Sequence, residues 1–538
     1  MSQPEQTRPR VLITDKLARE GVALLNTFAQ VDERIGIAPA DLKAIIGEYD
    51  ALVVRSETKV TADVFATADR LKVVARAGVG VDNIDVDAAT AKGVIVVNSP
   101  TGNVAAAAEH TVALLLALAR HVPAATASLK VNKWERSKFV GVEVRNKTLG
   151  VIGLGKVGLG VARSMMGMGM RVVATDPYAS PDLAAQLGIE LTSLEAVLQR
   201  ADFLTIHTPL VASTRGLIGA AELSQLPAGA RVLNVARGGL IDEAELLAAL
   251  ESGHIAGAAL DVFTAEPPTA EITLKLIAHP RVVATPHLGA STEEAQVLVA
   301  MDVCEQVIDI LKGGMPRAAV NAPLILPEEL AKLRPYVALV EKLGKLYTQR
   351  YHKQHQRFEL VYEGAIADLD TKPLRAALIK GLMESVSESR VNLVNANFIA
   401  RQRGIEIVEI KSNSPVQYTN LVTLRAVGSD EEQVLAGTVT WNEERIVRID
   451  GYTTNFVPQG HILLCKNYDR PGMIGHIGSI LGNASININN MSVGPLRQGS
   501  GPHGEALMIL TIDSPPTSEA LAAVGATEGI LDVIAVKL

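Results

Sequence analysis

At 538 residues the chain is too long for a single hydrophobic core, and domain sizes of ~100–200 residues divide it into three to five domains. A composition of 48% hydrophobic and 20% charged residues is that of a globular protein, and a net charge of −7 leaves no basic footprint for nucleic acid. The two cysteines, Cys304 and Cys465, are far apart and suggest neither a disulfide framework nor a metal site. They read as buried thiols in a reducing, cytoplasmic compartment.

The opening MSQPEQTRPR lacks the apolar stretch of a signal peptide. From residue 10 to 98, β-rich runs at 11–14, 51–54, 72–75 and 94–97 alternate with helical patterns, which predicts a small parallel α/β domain. Two of these strands run straight into cationic turns, Val54-Arg55-Ser56 and Arg76-Ala77-Gly78-Val79-Gly80-Val81-Asp82. Ligands of open α/β sheets collect beyond the carboxyl ends of the strands, so Arg55 and Arg76 either converge on one anion or are separate surface charges. The most apolar long run, 104–122, contains Glu109, His110 and Arg120, and so reads as a buried helix with no membrane partner. Gly102 and Asn103 at its start offer backbone donors and an amide to a ligand. Lys133-Trp134-Glu135-Arg136 then interrupts the apolar pattern, either as an exposed loop or as part of a site.

Residues 148–176 organise the rest of the chain. An apolar run leads into Gly153-Leu154-Gly155-Lys156-Val157-Gly158, a helical pattern, a second apolar run and Asp176, which makes a β-turn-α-β unit. Gly153 permits the tight turn, Gly155 lets the backbone approach a pyrophosphate, and Gly158 lets helix and strand pack closely. The phosphates would sit on the free N–H groups at the start of the helix, beside Lys156 and Val157. Asp176 ends the second strand, where a carboxylate takes ribose hydroxyls and repels a 2′-phosphate, so the expected cofactor is NAD rather than NADP. Further strands at 203–206, 231–234, 257–260 and 282–284 end in His207-Thr208-Pro209, Ala236-Arg237, Asp261 and Pro286-His287, and these ends, with Gly289, are expected to line the crevice. A helix over 292–312 then returns to the first domain.

Passing a hydride between an alcohol carbon and nicotinamide requires a proton to leave or reach the substrate oxygen. His287 suits that task because imidazole titrates near neutrality. Glu266, followed by two prolines, is placed to bond the other ring nitrogen, and Arg237 to grip an α-carboxylate and polarise the adjacent carbonyl. Singly, the three also read as a core histidine, a solvated loop charge and a structural salt bridge. Their common place at strand ends beside a dinucleotide motif favours the chemical reading.

GLGKVG, NVARGGLIDEAEL, GAALDVFTAEPP and TPHLGAST together resemble the D-isomer-specific 2-hydroxyacid dehydrogenases, with Arg237, Glu266 and His287 falling on that family's catalytic triad. VRSETKVTADV, RAGVGVDNID, TGNVAAAAEHT and KWERSKFVG are similar to its phosphoglycerate dehydrogenase branch. That resemblance implies 3-phosphoglycerate as substrate, bound by Arg55, Ser56, Arg76 and Asn103, and a homo-oligomer, dimer or tetramer, in which Arg136 reaches the partner subunit's active site. It implies NAD contacts at Thr208, Pro209, Ala236, Asp261 and Gly289. The rival substrates are other D-2-hydroxyacids, glycerate or 2-hydroxyglutarate, and the rival class is an NAD-sensing regulatory protein.

Past Ala322 the composition changes. Pro323, Pro327 and Pro335 bracket a linker and a helix, and 358–362, 406–410, 421–427 and 436–441 read as strands. KLGKLYTQ and YEGAIADLDTKPLRAALIKGLM resemble the intervening domain of long-form phosphoglycerate dehydrogenases, in which an anion can bind; Arg445 and Arg448 are candidate ligands, whereas Tyr452 and Pro458 stand where further basic residues are expected. The last segment reads as strand 461–467, a turn at Asp469-Arg470-Pro471-Gly472, helix to about 482, strands 486–488 and 505–512, and a closing helix and strand. This resembles an ACT domain, which implies a serine effector held by Asn467, Asp469 and Asn487. The expected fold is α/β: two flavodoxin/Rossmann-like parallel-sheet domains (1–101 with 288–322, and 102–287), an α+β intervening domain (323–457) and a βαββαβ ACT domain (458–538).

Overall fold

The computed structural model describes residues 8–314, 316–322, 327–351, 355–384, 391–412, 417–428, 433–496 and 504–538. Most of the opening MSQPEQTRPR segment, and Pro323, lie outside these residues. Four sheets are present among them.

The first is a five-stranded parallel sheet of Arg10–Ile13, Gln30–Glu33, Ala51–Val54, Val73–Arg76 and Ile95–Asn98, in the spatial order 2-1-3-4-5. Apolar runs such as Ala51–Val54 are buried throughout because helices cover both faces. The edge strand Gln30–Glu33 was not expected, since QVDE has no apolar run and its residues are exposed or half-buried. Helix Glu293–Leu311 packs Val299, Val303, Cys304 and Val307 against this sheet, so the chain does return to its first domain.

The second sheet has seven parallel strands: Thr148–Ile152, Arg171–Thr175, Glu190–Leu191, Phe203–Ile206, Ala230–Asn234, Ile255–Leu260 and Val282–Ala284, in the order 3-2-1-4-5-6-7. The order reverses between the first and fourth strands, and that switch point opens a crevice at their carboxyl ends. The apolar run expected as one helix is Val104–Ala119, which ends before His121, a left-handed residue at φ 54°, and turns by 64° into Val122–Lys130. Among the described residues no single helix is long and apolar enough to cross a membrane.

The third sheet is mixed, of six strands, Arg357–Gly364, Glu406–Ser412, Asn420–Ala426, Val434–Thr440, Glu443–Ile449 and Tyr452–Phe456. The last two were missed. Trp441 and Asn442, both at positive φ, form a two-residue hairpin, and Asp450-Gly451 forms the next. Arg445 and Arg448 bond within this sheet: Arg445 donates to Glu443 at 2.6 Å and to Asn455 at 3.1 Å, and Arg448 Nε to the Asp450 carbonyl at 2.7 Å. Pro335 does not end its helix but lies inside Pro327–Tyr351, which crosses Lys372–Met383 closely enough that a Cβ at Gly381 would sit 2.1 Å from the Glu341 carbonyl.

The fourth sheet, antiparallel in the order 2-3-1-4, is built from His461–Tyr468, Ile488–Pro495, Glu505–Ile512 and Ile530–Lys537, with helices Met473–Asn483 and Ser518–Gly525 on one face. The second strand begins only at Ile488, because Ser485 at φ 59° and the bond from Ile486 N to Leu481 O are still closing the helix. The other face contributes Ile462, Leu464, Leu507, Ile509 and Val536 to the core of the third sheet. The two C-terminal domains thus share one hydrophobic core. Among the described residues, Asn392 Nδ2 donates to the Gly93 carbonyl at 2.6 Å and ties the third domain to the first.

Both cysteines are buried free thiols, and burial pushes each up to about 12, so neither is a nucleophile at neutral pH.

Candidate active site

The nucleotide crevice follows from backbone geometry. Gly153 turns the chain at φ 91°, and a Cβ there would meet the His207 carbonyl at 2.6 Å, which places the glycine turn against the end of the fourth strand. Gly158 packs on Gly153, where a Cβ would be 2.1 Å from its carbonyl oxygen. Gly155 differs: it caps helix Lys156–Gly167, and a Cβ on it would meet nothing within 4 Å. Lys156 and Val157 open that helix, so free N–H groups face the same open space. Asp176 accepts from Leu154 N and Tyr178 N, both at 2.8 Å, which locks its carboxylate beside the glycine turn. Thr208 has a buried hydroxyl without a protein partner, while Pro209 is exposed. Open space at Gly155, helix donors, an orphaned hydroxyl and a fixed carboxylate suit a dinucleotide.

At the ends of the sixth and seventh strands His287 Nδ1 and Glu266 Oε2 lie 2.6 Å apart. Burial would raise the Glu266 carboxyl, but the bond and charge of His287, and the Phe263 N–H at 3.1 Å, together hold it below the usual carboxylate range. His287 occupies the left-handed region at φ 55°, held by its N–H bonding the carbonyls of Asp261 at 2.8 Å and Thr285 at 3.1 Å. Its side chain remains 41% exposed, so Nε2 is open to a substrate while Nδ1 is engaged. A cavity of about 390 Å³, lined by Phe263, Pro267, Pro268, Ile277, Ala284 and Pro286, borders the pair and gives it an apolar wall. His207, the other strand-end histidine, is pushed down to about 4 by burial and bonds Thr205 at 2.9 Å, which makes it too weak a base for this role.

Asp261 organises these strand ends. It is fully buried and accepts from Thr285 Oγ1 at 2.6 Å, Leu288 N at 2.7 Å and Gly289 N at 2.8 Å, with His110 Nε2 at 3.2 Å. Burial opposes its ionisation, yet the bonds from His110, Thr285 and Leu288 outweigh that and keep the carboxyl low. A carboxyl lowered in the folded state stabilises above its unfolded value, and that stability is lost as pH falls through the folded value. Asp261→Asn is therefore expected to destabilise the protein by about 2–3 kcal/mol at neutral pH, with the gap from wild type closing in acid. Thermal melts of both proteins at descending pH would read it; a pH-independent gap would contradict the bonding.

Three arginines gather across the cleft. Arg76 is largely buried with an unpartnered Nε, and burial, then the charges of Arg237 and Arg55, pull its guanidinium down to about 10. Arg55 is held through its backbone N–H on the buried carboxylate of Asp15 at 2.6 Å, and Asn83 bonds the carbonyls of Arg55 and Thr58 at 2.8 and 2.7 Å, joining the two cationic turns. Arg237 sits on a turn set by Asn234, whose side chain bonds the Arg237 carbonyl at 2.8 Å and Ala236 N at 3.1 Å. Such a cluster of cations at the strand ends of both domains is suited to an acid with two anionic groups.

The remaining expected residues are less involved. Ser56 is exposed in the turn after Arg55, and Asn103 stands at the start of its helix without a side-chain capping bond. Arg136 is exposed on the short helix Arg136–Phe139 and makes no hydrogen bond to the other site residues among those described. In the fourth domain Asp469 and Asn487 are exposed, whereas Asn467 is 2% exposed on a central strand; its Nδ2 donates to the Tyr468 carbonyl at 2.8 Å and its buried Oδ1 has no protein partner. Among the described residues no cluster of His, Cys, Asp or Glu suits a metal ion. Sequence reasoning missed His110, Asn234 and Asp82, although Asp82 lay within RAGVGVDNID.

The family described as D-isomer specific 2-hydroxyacid dehydrogenase, NAD binding domain, matches residues 112–289. The D-3-phosphoglycerate dehydrogenase intervening domain matches 332–450, and the ACT domain 461–529. Among similar proteins is D-3-phosphoglycerate dehydrogenase 2, chloroplastic, of Arabidopsis thaliana, 44% identical over 99% of this chain and 88% of its own. The D-3-phosphoglycerate dehydrogenase of Bacillus subtilis is 43% identical over 94% and 95% respectively. Among solved structures, D-lactate dehydrogenase of Aquifex aeolicus complexed with NAD and lactic acid is 25% identical with a TM-score of 0.53, covering 58% of this chain and 99% of its own.

Proposed function

Because the chain belongs to the D-isomer-specific 2-hydroxyacid dehydrogenases, in their D-3-phosphoglycerate dehydrogenase branch, we propose that the paired His287 and Glu266 and the clustered Arg55, Arg76 and Arg237 carry out its reaction. That reaction is the NAD-dependent oxidation of 3-phosphoglycerate to 3-phosphohydroxypyruvate, which opens serine synthesis. NAD, when bound on the glycine turn and Asp176, supplies the acceptor for the hydride. Arg237 binds the substrate carboxylate, and Arg55, Arg76, Ser56 and Asn103 take the phosphate end. His287 accepts the hydroxyl proton at Nε2, and Glu266, ionised at working pH, fixes the Nδ1–H tautomer and stabilises the imidazolium.

The observations that carry this reading are the 2.6 Å His287–Glu266 pair at the strand ends of the second sheet and the cluster of Arg55, Arg76 and Arg237 drawn from two domains. The test is NADH formation at alkaline pH with 3-phosphoglycerate, compared with D-glycerate and 2-hydroxyglutarate. Turnover of 3-phosphoglycerate well above both is expected; preference for an unphosphorylated acid would overturn the assignment.

The subunits associate at least as dimers. Around Arg136 the exposed apolar side chains Trp134 at 77% and Val140 at 78% support an interface that carries this arginine to the partner subunit's site. The ACT domain binds L-serine through Asp469 and Asn487 and lowers activity; millimolar serine without effect on binding or rate would refute this. The two free thiols suit the cytoplasm.

A further inference from the structure

Asp82 has no role in the chemistry above, yet its carboxylate holds the group that binds the substrate. Arg237 Nε donates to Asp82 Oδ2 at 3.1 Å, and Arg237 Nη1 to the Ala236 carbonyl at 2.7 Å. A guanidinium is a rigid planar fork of five N–H donors, so bonds at Nε and at one Nη1–H fix its plane. What remains is the end of the fork, one hydrogen on Nη1 and both on Nη2, the pair of donors that grips a carboxylate in two parallel bonds. Gly80 provides the room: a Cβ there would lie 2.0 Å from Arg237 Nη2 and 2.6 Å from Asp82 Oδ2.

The tie also crosses the cleft. Asp82 follows the fourth strand of the first sheet, whereas Arg237 follows the fifth strand of the second, 155 residues away. Asp82 is 64% exposed and makes no other ion pair among the described residues, so its exposed carboxylate is not needed for the packing of its own domain. The bond exists only while the two domains are together.

We propose that Asp82 is a positioning residue: it turns the two-donor end of Arg237 toward the substrate carboxylate and does so only in the closed cleft. This rests on the reading of Arg237 as the carboxylate-binding group. Lysine at 237 has neither the Nε–H nor the planar fork, so Asp82 has no two-donor end left to orient in that background even where the ammonium still pairs with it, whereas a merely structural role for Asp82 would persist.

The experiment is steady-state kinetics of the full chain with 3-phosphoglycerate and NAD for wild type, Asp82→Ala, Asp82→Asn, Arg237→Lys and the double variant Asp82→Ala/Arg237→Lys. Asp82→Ala is expected to raise KM for the acid about tenfold while KM for NAD stays within about twofold, since one charge-assisted bond is lost on the substrate side only. Asp82→Asn restores most of the loss because its amide oxygen still accepts from Nε. In the Arg237→Lys background the alanine adds less than about twofold, the signature of coupled residues. An equal rise in KM for NAD, failure of asparagine to rescue, or independent effects in the double variant would each overturn the proposal. Wild type without turnover of 3-phosphoglycerate would instead refute the substrate assignment, which separates the two failures.

Discussion

Replacing His287 by alanine should lower turnover of 3-phosphoglycerate by about 10²–10⁴-fold, the usual worth of a positioned general base, with NAD binding unchanged. The asymmetry follows from where the ring is held. Its Nδ1 is bound by Glu266 at 2.6 Å and its backbone by Asp261 and Thr285, so only Nε2 is available to a proton. The dinucleotide crevice is built separately, from Gly153 to Gly158 and Asp176, and none of these residues touches His287 among the described contacts. Stopped-flow or steady-state rates together with NAD titration by calorimetry read both arms. Turnover within a few-fold of wild type would remove His287 from the mechanism; lost NAD binding would mean that the ring supports the crevice instead.

The second large effect separates two glycines three residues apart. Gly155→Ala is expected to fold normally, because the methyl meets nothing within 4 Å, yet to weaken NAD binding at least about 100-fold, about 2.7 kcal/mol, since the methyl occupies the space where the pyrophosphate meets the helix N-terminus. Gly158→Ala should lose binding and stability together, because its Cβ would lie 2.1 Å from the Gly153 carbonyl, and forcing an overpacked contact costs about 1–3 kcal/mol or more. Thermal melts without cofactor and NAD titrations distinguish them. Equal melting losses in both variants would show that the two glycines share a packing role.

The turn at Gly153, the helix of Lys156 and the acidic end at Asp176 were legible because they lie within one short, periodic stretch. Arg237, Glu266 and His287 were legible as residues at strand ends, and as a family pattern, before any contact was known. Two hairpins went unread for different reasons. Asp450-Gly451 is a recognisable hairpin dipeptide, whereas Trp441-Asn442 places a tryptophan at positive φ, which no local preference signals. The burial of Asn467 was not legible because its position in a strand says nothing about whether that strand is central, and here it is.

The sequence by itself determined the alternation of strands and helices, the phosphate-binding turn, the preference for NAD and the identity of the chemical groups, since each depends on local periodicity or on residue type at a fixed spacing. Only the tertiary structure decided which of those groups meet. Asp82 reaches Arg237 across 155 residues, His110 reaches Asp261 across 151, and the fourth sheet lends Ile462, Leu464, Leu507, Ile509 and Val536 to the core of the third. Such contacts are specified by how whole sheets pack, a property of many side chains at once that no short stretch of chain records.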